Sequence, residues 1–151
     1  MAGVSDHPKR LRPLIAAAVS DDREERKPAW SFALADHEHD DEWSWSCVGE
    51  HVTTLFPFLA EMERLTWREI RQMKVPAKGN RSRPRYHGHA VGTLSPAARS
   101  RLEALGLDDV DEVFRFRLGG TERLWGIHVP QSHVFCLLWW DPDHRVYPVD
   151  N

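Results

Sequence analysis

Residues 113–141 read VFRFRLGGTERLWGIHVPQSHVFCLLWWD, and the alternation within them decides the fold. Successive side chains of an extended chain point to opposite faces, so Phe114, Phe116 and Leu118 share one face while Val113, Arg115 and Arg117 share the other. Gly119-Gly120 supplies the freely rotating residues of a tight turn and sends the chain back. The return strand, Glu122–Val129, puts Arg123, Trp125, Ile127 and Val129 on one face. Beyond the Pro130-Gln131-Ser132-His133 turn, Val134–Asp141 is apolar on both faces, as a strand in the middle of a sheet must be. A three-strand antiparallel meander is expected.

Upstream, His87–Leu94 reads as another strand, and Ser95 followed by Pro96 opens a helix that runs to about Leu105 and stops at Gly106. Val52, Leu55, Phe56, Leu59, Met62 and Leu65 recur at three- and four-residue spacing, which predicts a helix over 50–65 that Pro57 should bend or restart. Thr66-Trp67-Arg68-Glu69 is a capping box for a second short helix through Met73, with Trp67, Ile70 and Met73 inward. Trp30–Leu34 and Trp43–Val48 read as short strands of a hairpin joined by the acidic turn ADHEHDDE. Residues 1–28 form a tail or docking arm with a short helix over Leu14–Val19, and residues 29–151 a single domain. The fold class expected is α+β: an antiparallel sheet of about four to six strands with helices packed on one face.

A chain of 151 residues with 41% hydrophobic and 28% charged residues has the composition of one folded domain and excludes a disordered chain. Its longest apolar run, Val134–Trp140, is far short of a membrane span, and the first ten residues lack a signal peptide's apolar core. Cys47 and Cys136 show no paired spacing, which fits a reducing, cytoplasmic setting. The net charge is −3, but its distribution is uneven. Residues 1–50 carry −5, whereas residues 64–86 carry +7 through Arg64, Arg68, Arg71, Lys74, Lys78, Arg81, Arg83 and Arg85. Spaced bases mixed with Gly, Pro, Asn and Tyr86 suit a loop lying along a phosphate backbone, so these nine residues are the candidate nucleic-acid contacts. A solvated helix face and loop is the competing reading. The acidic block would lie over this basic stretch when no nucleic acid is bound.

No phosphate-binding glycine loop, HExxH, GxSxG or paired CxxC is present, so chemistry rests on looser groupings. In a strand, His87 and His89 fall on one face about 7 Å apart. Imidazoles titrate near neutrality and move protons, and arginines beside them offset charge on a phosphoryl group; Arg115, Arg117 and Arg123 are the candidates. Behind the apolar strand come Asp141, Asp143, His144 and Tyr147, a turn by composition and a second source of reactive side chains. His37-Glu38-His39-Asp40-Asp41 has metal-ligand residue types without a second ligand set, so no metal site is assigned.

The order of a basic helical segment, a strand, a helix and a closing meander resembles the RelE/ParE superfamily of bacterial toxins over about residues 60–151. The basic hairpin FRFRLGGTERLWG, the core strand VFCLLWW and the tail DPDHRVYP carry the likeness. The resemblance implies a RelE-like fold and a metal-independent endoribonuclease that attacks the adjacent phosphate with a ribose 2′-hydroxyl, with no cofactor. On that reading Arg115, Arg117 and Arg123 stabilise the phosphate, and His87, His89, His144 or Tyr147 move protons. RNA or the ribosome would be the target, and a small antitoxin the cognate partner. The acidic first fifty residues depart from the family's pattern. The alternative is a non-catalytic toxin or accessory protein that binds a protein or nucleic acid through aromatic anchors drawn from its seven tryptophans.

Overall fold

The computed structural model describes residues 7–18 and 21–148. The meander is present as β5 (Glu112–Arg117), β6 (Arg123–His128) and β7 (Val134–Asp141), antiparallel throughout. β4 (Tyr86–Ala90) pairs antiparallel with β5, and β1 (Ala29–Ser31) pairs parallel with β7, which gives a five-strand mixed sheet in the order β1-β7-β6-β5-β4. The chain is α+β, and the expectation of a purely antiparallel sheet is corrected by β1. A three-residue strand inserted parallel at an edge leaves no periodic trace in sequence.

Register between β6 and β7 shifts once, because Trp125 faces Trp139 while Gly126 faces Leu137. Leu138 is the extra residue of a β-bulge. The shift lets Leu138 and Trp139 both enter one core while Trp140 enters the other. At Gly126 an added Cβ would lie 2.3 Å from the Phe135 ring and from the Cys136 carbonyl, so only glycine fits beneath that ring.

Both faces of the sheet are covered, which overturns the expectation of helices on one face. α1 (Arg12–Ala18) and α4 (Pro96–Ala104) flank a core with Ile15, Leu102, Val113, Trp125, Ile127 and Leu138. α2 (Val52–Met62) and α3 (Trp67–Gln72) flank a second with Leu55, Trp67, Phe116, Leu124, Phe135 and Leu137. The apolar residues on both sides of β7 demand two covers. Ser95 caps α4, Thr66 and Glu69 form the capping box of α3, and α2 runs through Pro57 without a break. The N-terminal arm docks through buried Leu11 and Ile15, and the end of its expected helix, Val19, falls outside the described residues.

Three local expectations change. Trp43–Val48 is not a strand: it makes 3₁₀ turns at Trp45–Cys47 and Gly49–His51, so no N-terminal hairpin forms. The Ser44 hydroxyl donates to the Asp41 carbonyl and the Trp45 indole donates to the Leu138 carbonyl, contacts that hold the segment curled. The strand at 30–34 shrinks to Ala29–Ser31, and the one at 87–94 ends at Ala90 in a 3₁₀ turn. The basic loop is itself a hairpin, β2 (Lys74–Ala77) with β3 (Arg81–Pro84), turned by Gly79 and Asn80 at positive φ.

Candidate functional site

Backbone alternation on β4 and β5 builds the site. His87 and His89 face the α1/α4 side of β4, in register with Arg115 and Val113 of β5. Between them Gly88 must lack a side chain, because an added Cβ would stand 2.6 Å from the Glu112 carboxylate and 2.9 Å from the Phe114 ring. The two imidazole centroids lie 4.7 Å apart. They line a cavity of about 210 Å³ together with Arg83, Pro84, Arg115, Arg117 and Tyr147. Of the seven residues assigned to chemistry from sequence, the fold therefore brings His87, His89, Arg115, Arg117 and Tyr147 around one cavity.

Tyr147 is placed by the chain after β7. The buried Asp141 carboxylate accepts from the backbone N–H groups of Arg145 at 2.8 Å and Val146 at 2.9 Å, and the Ser95 N–H donates to the Val146 carbonyl. These bonds lay the Tyr147 ring 4.3 Å from His89. Asp141 also accepts from the Trp125 indole, whose ring supports His89 at 5.4 Å and the Arg115 guanidinium at 5.9 Å. Trp125 is buried behind that lining and is not part of it; its place with Arg123 on one face of β6 was the signal in the sequence that it lies beneath the site.

Arg115 is 2% exposed, forms no ion pair among the described residues, and its Nε and Nη1 have no hydrogen-bond partner. Burial and the neighbouring Arg117, Arg123 and Arg83 pull its pKa down to about 9. Burial, then Arg115, His87, Arg117 and His144, pull His89 down to about 3. Its Nε2 also lacks a partner. His87 is lowered by burial and by Arg115 and Arg117. The cavity thus holds neutral imidazoles beside the Arg115 guanidinium, which forms no ion pair among the described residues.

Arg123 is not on the cavity wall. Its Nη1 donates to the Gly120 and Glu122 carbonyls, and burial and Arg117 lower it to about 10 while Asp141 supports it. His144 sits in the tail turn at φ 56 and reaches His89 by its charge, not as a cavity wall.

The basic run divides. Arg68 pairs with Glu25 and Arg71 with Glu24, at 2.6 and 2.7 Å, so the α3 face is met by the acidic N-terminal segment. The acids that cover it are not those of 36–42, for Asp36 is buried against Arg101 and Trp139. Arg85 donates to the Arg117 carbonyl and lies over Phe58. Tyr86 is buried with its hydroxyl on His128 Nδ1, which removes it as a stacking surface for bases. Arg64, Lys74, Lys78 and Arg81 are exposed, and Arg83 enters the cavity.

The His39 ring lies tilted against Trp43 with centroids 4.2 Å apart, and among the described residues no group of three or more His, Cys, Asp or Glu converges as a metal cage. No helix among the described residues is long and apolar enough to cross a membrane. Five tryptophans are buried and Trp30 and Trp45 are half-buried, so the tryptophans are core, not surface anchors. No protein-family model, curated protein or solved structure matches the chain.

Proposed function

We propose that the cavity seats a phosphodiester of RNA and that the protein is a toxin-like, metal-independent endoribonuclease. The observation that carries this reading is Arg115, a guanidinium 2% exposed with two N–H-bearing nitrogens unpartnered beside two imidazoles. A buried charge without a counter-ion is costly unless a ligand of opposite sign completes it. Attack of the ribose 2′-oxygen on phosphorus turns a monoanion into a dianionic transition state, and arginines in a low-dielectric cavity favour that added charge.

His87, exposed and held neutral, takes the proton from the 2′-hydroxyl as the P–O2′ bond forms. The P–O5′ bond breaks, and the Tyr147 hydroxyl gives its proton to the leaving oxygen. The products are a 2′,3′-cyclic phosphate and a 5′-hydroxyl. His89 stays neutral under the ring of Tyr147 and positions it. Kinship with the RelE/ParE toxins, a cytoplasmic setting and an acidic antitoxin over the basic surface belong to the same proposal.

The test is incubation of purified protein with single-stranded RNA in EDTA, followed by analysis of the ends. Cyclic phosphate ends that vanish with His87→Ala, and with a 2′-deoxy substitution at the cut, are expected. Intact RNA would leave the alternative, a non-catalytic binding protein.

A further inference from the structure

We infer that the β2–β3 hairpin is a track for single-stranded RNA entering the Arg115 cavity, so that the substrate is an oligonucleotide held by several successive phosphates and not a lone nucleotide or a duplex. This rests on the reading of the cavity as a phosphodiester seat. The hairpin adjoins the cavity directly, since Arg83 and Pro84 form part of its wall. On β3, Arg81 and Arg83 are two residues apart and share a face, which spaces them by about 6.6 Å. That interval is comparable with the separation of neighbouring phosphates along an extended strand. Arg83 points to the seat, and Arg81 stands one step out, exposed, towards the Gly79-Asn80 turn.

The charge state of the two halves of the basic run selects the hairpin. On α3 the guanidinium groups of Arg68 and Arg71 are met by Glu25 and Glu24, whereas among the described residues Arg81 and Arg83 form no ion pair. The seat itself is recessed, with Arg115 at 2% and His89 at 7% exposure. A phosphate held in a regular duplex cannot descend to such a floor without leaving the helix, while a flexible single strand can. Lys78 at the hairpin turn is exposed.

The test uses 2′-O-methyl oligonucleotides of two, four and six residues, which lack the attacking hydroxyl and so report binding apart from cleavage. Affinity should rise with length in the native protein and exceed that for the matching duplex. Arg81→Glu should lower affinity for the hexamer roughly three- to tenfold, and Arg81→Ala should reduce the slope of log affinity against log salt by about 0.7, with Arg81→Lys restoring it. Equal affinity for all lengths, or duplex binding as tight as single-strand binding, overturns the track. Binding that ignores Arg115→Met overturns the seat beneath it. Length dependence that requires Arg81 in a protein that leaves RNA uncut keeps the track and removes the nuclease.

Discussion

Two histidines on opposite faces of one sheet, His89 buried and His128 half-buried, differ in what surrounds them. His128 has both ring nitrogens engaged, Nδ1 with the Tyr86 hydroxyl at 2.8 Å and Nε2 with the Ser132 carbonyl at 2.7 Å. His89 has no partner at Nε2 and is ringed by arginines. The arginines repeat the contrast: Arg101 makes two bonds to the Asp36 carboxylate, while Arg115, more deeply buried, meets none. Folding alone accounts for the satisfied groups, because an unpaired buried polar group weakens the native state. Trp140 Nε1 and Arg85 Nε also lack partners, and what sets Arg115 and His89 apart is that both face one cavity, where on the proposed reading a phosphate would complete them.

The sharpest way to break this comparison is Arg115→Met. It should reduce RNA cleavage by about 10²- to 10³-fold, the range seen for loss of a group that stabilises transition-state charge. The same substitution should raise the urea midpoint, since an apolar side chain replaces an uncompensated buried charge. A fall in stability of the same size as the loss in activity would make Arg115 an ordinary structural residue. On the satisfied side, Asp36→Ala should do the reverse. It strands Arg101 and the Trp139 indole, and the unfolding free energy should drop by about 3 kcal/mol.

Acid sharpens the contrast further. The folded pKa of His128 is depressed to about 4 by burial, against 6.5 for an ordinary imidazole. The unfolded chain therefore binds more protons between those values, and stability present above pH 6.5 is lost as pH falls towards 4. His128 alone should remove about 3 kcal/mol across that window. His89 acts in the same direction down to about pH 3. Sulfate at the cavity should reduce the loss from His89 and leave that from His128, as unfolding curves at pH 7 and 4.5 with and without sulfate will report. The smallest effect belongs to the surface pair Arg68–Glu25, where Glu25→Gln should change stability by under about 0.5 kcal/mol.

Much of this was readable from the chain. The Phe114/Phe116 against Arg115/Arg117 alternation set the meander, and i, i+2 spacing put His87 and His89 on the arginine face. Ser95-Pro96 and Thr66 to Glu69 gave helix starts that the caps realise. Trp43, Trp45 and Cys47 misled, because their period of two is also met by a curled segment whose serine and indole groups bond to carbonyls. The pairing of α3 with Glu24 and Glu25 spans more than forty residues, and no local pattern encodes it. Tyr86 counts among the candidate nucleic-acid contacts because its sequence neighbours are basic, yet the alternation of β4 turns it into the core beside Phe116.

The bulge at Leu138 ties the far end of the molecule to the cavity. Deleting one residue there would rotate the remainder of β7 by half a turn, exchange the layers occupied by Trp139 and Trp140, and swing Asp141 away from the tail it anchors. At the hairpin turn Gly79 has open space around it, so natural variants of this protein should differ in length there and keep their length through β7. A register frame deep in the core would then be inherited as strictly as the side chains it aims.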